Sequence, residues 1–185
     1  MRLLDDVIAV LERGAADTTG GGEHGGFTLL EHGLQCAAGL RLRRPADLEL
    51  QVAGLVHDVG QTLTGNDMAQ HGLAAARFVR PLFGPRVAAL VELHVPAKRY
   101  LASVDPSYRD RLSDASQESL LAQGDLMSAV EIRRFRARPE AADAVVLRRA
   151  DDEAKVAGAR VPTLIDWLPA LRAIAGFHAT SANPS

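Results

Sequence analysis

The chain has 185 residues, of which 21 are lysine or arginine and 23 are aspartate or glutamate, so its formal net charge is −2. With 47% hydrophobic and 24% charged residues, its composition is typical of a soluble globular domain and excludes an intrinsically disordered chain. The charge balance excludes a global cationic field for nucleic acid or an anionic membrane, and no apolar stretch approaches the roughly 18 residues of a membrane-spanning helix.

Helical periodicity dominates the chain from its N-terminus. An amphipathic helix is predicted from Leu3 to about Gly14, and a Gly-rich loop over 16–26 follows it. Further helices are predicted over residues 28–45, 46–60, 67–80, 85–94, 106–111, 113–123, 128–137, 139–155 and 162–175. No segment alternates apolar and polar residues for long enough to indicate a strand. The sequence therefore predicts one all-α domain, a helical bundle over residues 1–185, with a disordered tail over 178–185.

Four histidines and two aspartates fall on or beside the apolar faces of five predicted helices: His32, His57, Asp58, His71, His94 and Asp151. An ionisable group on an apolar face needs a partner, and imidazole nitrogens and carboxylate oxygens are both metal ligands. Because His57 and Asp58 are adjacent, a carboxylate that bridges two metals can lie beside a histidine ligand. A single histidine on an apolar face is more often a hydrogen-bonded core residue, but the six together predict a metal site. His24 and His178, in the Gly-rich loop and the tail, are expected to be solvated.

The order of these six residues resembles that of the HD-domain superfamily, an all-α metal-dependent fold. Longer strings are similar to the phosphonate-cleaving mixed-valent diiron oxygenases, which are relatives of myo-inositol oxygenase. The similar strings are LEHGLQCA (30–37), LVHDVG (55–60), ELHVPAKRYL (92–101), LSDASQESLLAQGDLMSAVE (112–131) and LRRADDEAKV (147–156). The resemblance covers about residues 27–157, and HVPAKRYL and LRRADDEAK are its most specific parts.

This resemblance implies a ligand set for each of two irons. The first iron would be bound by His32, His57, Asp58 and Asp151. The second would be bound by His71, His94 and the bridging Asp58. Asp151 rather than Asp152 is the implied ligand, because it stands four residues before Lys155 as in the family string.

The resemblance also implies that Lys98, Ser116 and Arg148 hold the phosphonate oxygens of a substrate, a task that suits charged donors. Asp58 and Lys98 are the candidate catalytic residues. In two places the chain departs from these enzymes. Gly22 and Gly25 stand where they carry a tyrosine and a glutamate, and Gln61 stands where histidine is common. Glutamine can hydrogen-bond a substrate but cannot act as an acid or a base.

The implied function is a dinuclear iron oxygenase of phosphonate catabolism. It would use O2 to cleave the C–P bond of a small 1-hydroxyalkylphosphonate, giving phosphate and a carboxylic acid. The metals would be mixed-valent Fe(II)/Fe(III), although manganese or another divalent metal also suits such ligands. Two alternatives stay open: an HD-type metal-dependent phosphohydrolase of a small phosphate ester, and a non-catalytic metal-containing binding module.

The expected surroundings of the protein follow from the same features. The single cysteine, Cys36, cannot form an intramolecular disulfide, which favours the reducing cytoplasm. The expected partners are the anionic organophosphonate and O2, with neither nucleic acid nor membrane. The sequence leaves the oligomeric state open.

Overall fold

A computed structural model of the chain describes residues 2–19, 26–65 and 67–181. Within these ranges the helices are α1 (Arg2–Arg13), α2 (Leu29–Arg43), α3 (Leu48–Val56), α4 (Val59–Thr64), α5 (His71–Val104), α6 (Pro106–Asp110), α7 (Asp114–Ala122), α8 (Ala129–Arg136), α9 (Ala141–Glu153) and α10 (Leu164–Ser181). Two strands of two residues each pair in antiparallel fashion: β1 (Thr18–Thr19) lies within the predicted Gly-rich loop, and β2 (Phe27–Thr28) directly follows it. The predicted all-α class is confirmed, with this short ladder as an addition.

The core is a bundle in which α2 packs on α3 and α9, and α5 packs on α3, α4 and α9. Helix α2 begins as its sequence predicts. The Thr28 hydroxyl accepts a hydrogen bond from the Glu31 amide, and the Glu31 carboxylate accepts one from the Thr28 amide. Close approach of α2 to α3 depends on Gly33, where an added Cβ would lie 2.5 Å from the carbonyl oxygen of Leu55. This approach brings the two helices that carry His32 and His57 together.

The helix predicted over 46–60 is shorter than expected. Helix α3 ends at Val56, and a new helix, α4, begins at Val59 with Asp58 as its N-cap. Asp58 has φ −101° and ψ 4°, outside the helical range, so the chain turns between His57 and Asp58. In a continuous helix these two adjacent side chains would point about 100° apart around one axis. Because the chain turns here, their directions are not bound to that angle.

The two helices predicted over 67–80 and 85–94 form one long element with a break at Gly84 (φ 80°). The predicted end before Pro96 is wrong, since α5 continues to Val104. A proline inside a helix removes one backbone hydrogen bond. Here the buried face continues beyond it through Ala97 and Leu101, and this packing outweighs the loss.

The C-terminal region also differs from its prediction. Helix α10 runs to Ser181 instead of ending near residue 175, so residues 178–181 are helical and not part of a disordered tail. His178 is half-buried, with Nε2 3.6 Å from a carboxylate oxygen of Glu49, and is not the solvated residue expected. His24 and residues 182–185 lie outside the described ranges. Among the described helices, none combines the length and the apolar character needed to cross a bilayer.

Replacing Gly60 with alanine should destabilise the fold at the metal-facing end of α4. An added Cβ would overlap the backbone of His71, and backbone cannot rotate away as a side chain can. We expect the free energy of unfolding to fall by about 3 kcal/mol, the upper range for overpacked interiors, as measured by urea denaturation. The matched control is Gly39→Ala, where the new methyl group would lie 3.0 Å from the flexible end of Arg43 and at an ordinary contact distance of 3.9 Å from Ala150 Cβ. Equal stability of the two variants would contradict the close approach of α4 to α5.

Candidate metal centre

The structure brings all six predicted ligands together in the bundle interior. Two groups form, and within each group the possible ligand atoms lie within 4.8 Å of one another. The first group is His32, His57 and Asp151; the second is Asp58, His71 and His94. Five of the six residues are buried, and Asp58 is half-buried. Helices α2, α3, α5 and α9 and the turn before α4 therefore converge on one polar centre in an otherwise apolar core.

Asp58 lies between the two groups and faces both. Its Oδ2 atom is 3.6 Å from Nε2 of His32 and 3.5 Å from Nε2 of His57. Its Oδ1 atom is 3.3 Å from Nε2 of His71 and 3.4 Å from Nε2 of His94. One carboxylate oxygen is therefore directed to each group, which is the arrangement a carboxylate bridging two metals requires.

Each of the four histidines is held by a backbone carbonyl through its Nδ1 atom. His32 Nδ1 lies 2.7 Å from the Ala154 oxygen. The other three rings contact carbonyl oxygens three residues earlier in the chain: His57 with Gly54 (2.8 Å), His71 with Met68 (3.0 Å) and His94 with Val91 (2.6 Å). Because a carbonyl only accepts, Nδ1 of each ring carries a proton, and in the neutral form of the ring the lone pair is on Nε2. All four Nε2 atoms are directed to the centre, where the neutral rings would present lone pairs as metal-binding histidines do.

Polar atoms without a hydrogen-bond partner mark the space between the ligands. Within the described residues, His57 Nε2 and Asp58 Oδ1 are buried and accept no hydrogen bond. The Nε2 atoms of His71 and His94 face each other at 3.0 Å. When both rings are neutral with the proton on Nδ1, this contact brings two lone pairs together. One divalent cation in each group would satisfy the atoms of that group, so the residues fit a metal pair.

Two ligands, His94 and Asp58, have the charge state that a metal requires. His32 and His71 would have to release a proton to it, since the facing carboxylates outweigh burial and raise the pKa of both rings. Burial lowers the pKa of His94 to about 4, aided by the neighbouring His57 and His71, so this ring is neutral at physiological pH. Burial alone would raise the pKa of Asp58, but the facing histidines outweigh burial and lower it well below its usual value. Asp58 is therefore a carboxylate, and His94 is a neutral nitrogen donor.

Asp151, not Asp152, faces the histidines. Oδ1 of Asp151 is 3.1 Å from His32 Nε2, while its Oδ2 lies 2.6 Å from Nη1 of Arg148. Asp152 is directed away and accepts hydrogen bonds from Arg148 and from the Tyr108 hydroxyl. Of the two adjacent aspartates, only Asp151 therefore lies among the candidate ligands.

A group of cationic side chains lies beside the ligands. Lys98 is 3% exposed, and its Nζ donates a hydrogen bond of 2.7 Å to Ser119. Because α5 continues past Pro96, Lys98 lies one turn beyond His94 on the buried face. Burial and the charge of Arg148 lower the pKa of Lys98 to about 7. This ammonium group has three donors, and a bound anion would use those left free by Ser119.

The other implied substrate residues are also buried. The Ser116 hydroxyl accepts a hydrogen bond of 2.8 Å from Lys155, and Arg148 is 5% exposed. Gln61 is buried on α4, one turn after Asp58. Gly22 and Gly25, the departures before the first ligand histidine, lie outside the described residues.

Sequence reasoning missed four residues of this cluster: Tyr108, Ser119, Asp152 and Lys155. Ser119 could have been found, because it follows Ser116 by one helical turn on α7. Tyr108 could not, since α6 reaches α9 only through tertiary packing. A cavity of about 370 Å³ adjoins the cluster; Tyr108, Asp152 and Lys155 line it, and the six His and Asp residues do not.

The chain matches one protein family and is similar to several known proteins. A family model described as HD domain matches residues 29–155. The chain is 44% identical over 149 residues to hydroxymethylphosphonate dioxygenase of Gimesia maris, covering 76% of this chain and 74% of that protein. It is 30% identical over 159 residues to [1-hydroxy-2-(trimethylamino)ethyl]phosphonate dioxygenase (glycine-betaine-forming) of Leisingera caerulea, covering 82% and 81%. An uncharacterized protein of Acanthamoeba polyphaga mimivirus is 31% identical over 139 residues, covering 70% and 63%.

Proposed function

The chain belongs to the HD domain family, and on that premise we propose that it is a dinuclear iron oxygenase of a small 1-hydroxyalkylphosphonate. Its reaction would break the C–P bond with O2 and release phosphate and a carboxylic acid. The observation that carries this proposal is the position of Asp58, with one carboxylate oxygen directed to each histidine group. The names of two relatives, both phosphonate dioxygenases, support the choice of an oxygenase over a hydrolase.

Each of the two groups of ligands described above would hold one iron. His32, His57 and Asp151 would hold one iron, His71 and His94 the other, and Asp58 both. When bound, a mixed-valent iron pair supplies dioxygen activation and the electron transfer of the reaction. The protein contributes fixed lone pairs and a bridging carboxylate, set in the buried interior of the helix bundle.

Lys98, Arg148 and Ser116 would hold the phosphonate group. Lys98 and Arg148 supply charge-assisted donors to phosphonate oxygens, and the Ser116 hydroxyl adds a neutral one. A buried ammonium beside another buried cation is unfavourable by itself, and a dianion would relieve the repulsion. Gln61, without acid–base capacity, would only hydrogen-bond the substrate or product.

Hydroxymethylphosphonate is the smallest substrate of this class and the first to test. The relative named for it has the higher identity of the two named dioxygenases. This chain also has glycines where the enzymes it resembles carry a tyrosine and a glutamate, and glycine offers no side chain to a larger substrate. The reaction balances as hydroxymethylphosphonate dianion plus O2 giving formate, hydrogen phosphate and a proton. The carbon loses four electrons in total, and O2 accepts them.

Removing oxygen should abolish turnover. We expect protein purified anaerobically with two irons per chain to release no phosphate from hydroxymethylphosphonate until O2 is admitted. It should then consume one O2 for each phosphate and each formate formed. The measurement pairs an oxygen electrode with phosphate and formate assays.

A phosphohydrolase would behave in the opposite way. It would release phosphate from a small ester such as glycerol phosphate at the same rate with and without O2, because a metal-bound water is its nucleophile. Oxygen-independent phosphate release, or iron-loaded protein that takes up no O2 with any hydroxyalkylphosphonate, would overturn the oxygenase assignment.

A further inference from the structure

We propose that Tyr108 and Asp152 are positioning residues that clamp Arg148 against Asp151 and thereby set the strength of the metal site formed by His32, His57 and Asp151. This inference rests on the metal centre of the proposed function. It concerns two residues that neither the sequence pattern nor the resemblance assigned to the site. It also adds to the role of Arg148, which the resemblance gives only as a phosphonate donor.

The guanidinium of Arg148 is engaged on three sides. Its Nε donates to the Tyr108 hydroxyl at 3.2 Å, and its Nη1 lies 2.6 Å from Oδ2 of Asp151. Its Nη2 donates to Oδ1 of Asp152. The Tyr108 hydroxyl donates in turn to Oδ2 of Asp152 at 2.7 Å, which closes a ring of hydrogen bonds. Arg148 therefore has one orientation, fixed by a residue from α6 and a residue from α9.

The contact with Asp151 connects this ring to the metal ligands. Asp151 has Oδ1 3.1 Å from His32 Nε2, while its Oδ2 is held by Arg148 at 2.6 Å and lies farther, at 3.7 Å, from His57 Nε2. A carboxylate whose second oxygen is held by a guanidinium offers a single oxygen to a metal, in a fixed direction. If Arg148 moved, the Asp151 carboxylate could rotate away from the first metal site. Asp151 is the only anionic ligand assigned to that site alone, since Asp58 is shared with the second site.

The two histidines of the second metal site are oriented by residues outside this ring, and the second site shares only Asp58 with the first. His71 and His94 take their orientation from the carbonyls of Met68 and Val91. Loosening Arg148 should therefore weaken one metal site and leave the other unchanged. A structural defect would have no such selectivity.

The test is a titration of metal-free protein with Mn(II), with free Mn(II) followed by electron paramagnetic resonance. Wild-type protein should bind two Mn(II) per chain. Tyr108→Phe and Asp152→Asn should each weaken one site by about 10- to 100-fold, the usual effect of losing a group that orients a metal ligand, and leave the other within twofold. Both residues act through Arg148. The double variant should therefore lose no more Mn(II) affinity than whichever single variant binds Mn(II) less tightly.

Matched controls remove the same groups elsewhere. Tyr100→Phe deletes a hydroxyl that is hydrogen-bonded to Arg136. Asp143→Asn changes an aspartate on the same helix as Asp152 and weakens its ion pair with Arg86. Both controls should bind two Mn(II) with wild-type affinity. A thermal melt of each protein gives the loss of stability with which the metal data are compared.

The outcomes separate the inference from the function on which it rests. Wild-type affinity at both sites in Tyr108→Phe and Asp152→Asn would overturn the inference. So would equal weakening of both sites in proportion to a lower melting temperature. Wild-type protein that fails to bind two metals would overturn the proposed centre itself. Selective weakening without any phosphonate oxidation would sustain the inference and overturn the oxygenase proposal.

Discussion

Asp58→Ala should leave the protein with at most one bound metal and lower kcat/KM for hydroxymethylphosphonate by about 1,000-fold or more, because metal catalysis supplies several kcal/mol of transition-state stabilisation. The variant removes the carboxylate that lies 3.3–3.6 Å from all four histidine Nε2 atoms. The second group would keep only His71 and His94, too few ligands to hold a metal tightly. The first group would keep three ligands and lose its bridge.

The measurement is iron analysis after anaerobic purification, combined with oxygen uptake. Asp58→Asn is the companion variant, since it keeps the shape of the side chain and removes its charge, and it should behave like the alanine variant. The control is Asp110→Ala, an exposed aspartate at the end of α6, which should keep two irons and full activity. Two irons per chain in Asp58→Ala would exclude Asp58 as the bridging ligand.

Lys98→Met should lower kcat/KM by about 100-fold, mostly through a higher KM, while the free protein becomes no less stable. Charge-assisted hydrogen bonds contribute about 1.5–3 kcal/mol each, and a phosphonate would lose at least one of them. In the free protein the Lys98 ammonium is buried with Ser119 as its hydrogen-bond partner and with Arg148 and Lys155 as neighbouring cations. Methionine fills a similar volume without the cost of a buried charge.

Steady-state kinetics and thermal denaturation of the metal-free protein measure the two effects. Arg99→Met is the matched control, because Arg99 is the next residue on α5 and pairs with Glu131 instead of facing the centre. That variant should lose some stability and keep its KM. An unchanged KM in Lys98→Met would remove Lys98 from the phosphonate site, and a large loss of stability would show that its role is structural.

The helical class and the positions of most helices could be predicted because they depend on local signals. Thr28 begins α2 through contacts with residues three positions away, and apolar periodicity marks the buried faces. The errors arose where distant packing overrode a local signal. Pro96 did not end α5 because the buried face continues through Leu101, and His178 packs near Glu49 instead of remaining in a frayed tail.

In the candidate site, too, some features follow from local sequence and others depend on packing between distant residues. The six His and Asp residues were identifiable from their residue types, from their place on apolar faces and from the family strings. The lone-pair orientation of His57, His71 and His94 is also local, since each ring is bound by a carbonyl three residues earlier. The orientation of His32 is not, because its carbonyl partner, Ala154, lies 122 residues away.

The sequence by itself determined the all-α class, the set of candidate ligands and the presence of cations near them, because these follow from residue types and from helical spacing within a few turns. Tertiary structure alone decided that Asp58 directs one oxygen to each histidine group, that Lys98 meets Ser119, and that Tyr108 bonds to both Arg148 and Asp152, which lie one helical turn apart on α9. The last two are contacts between helices, made by side chains 21 to 44 residues apart. Helical periodicity carries no information on how one helix is placed against another, so such contacts are fixed only when the whole bundle packs.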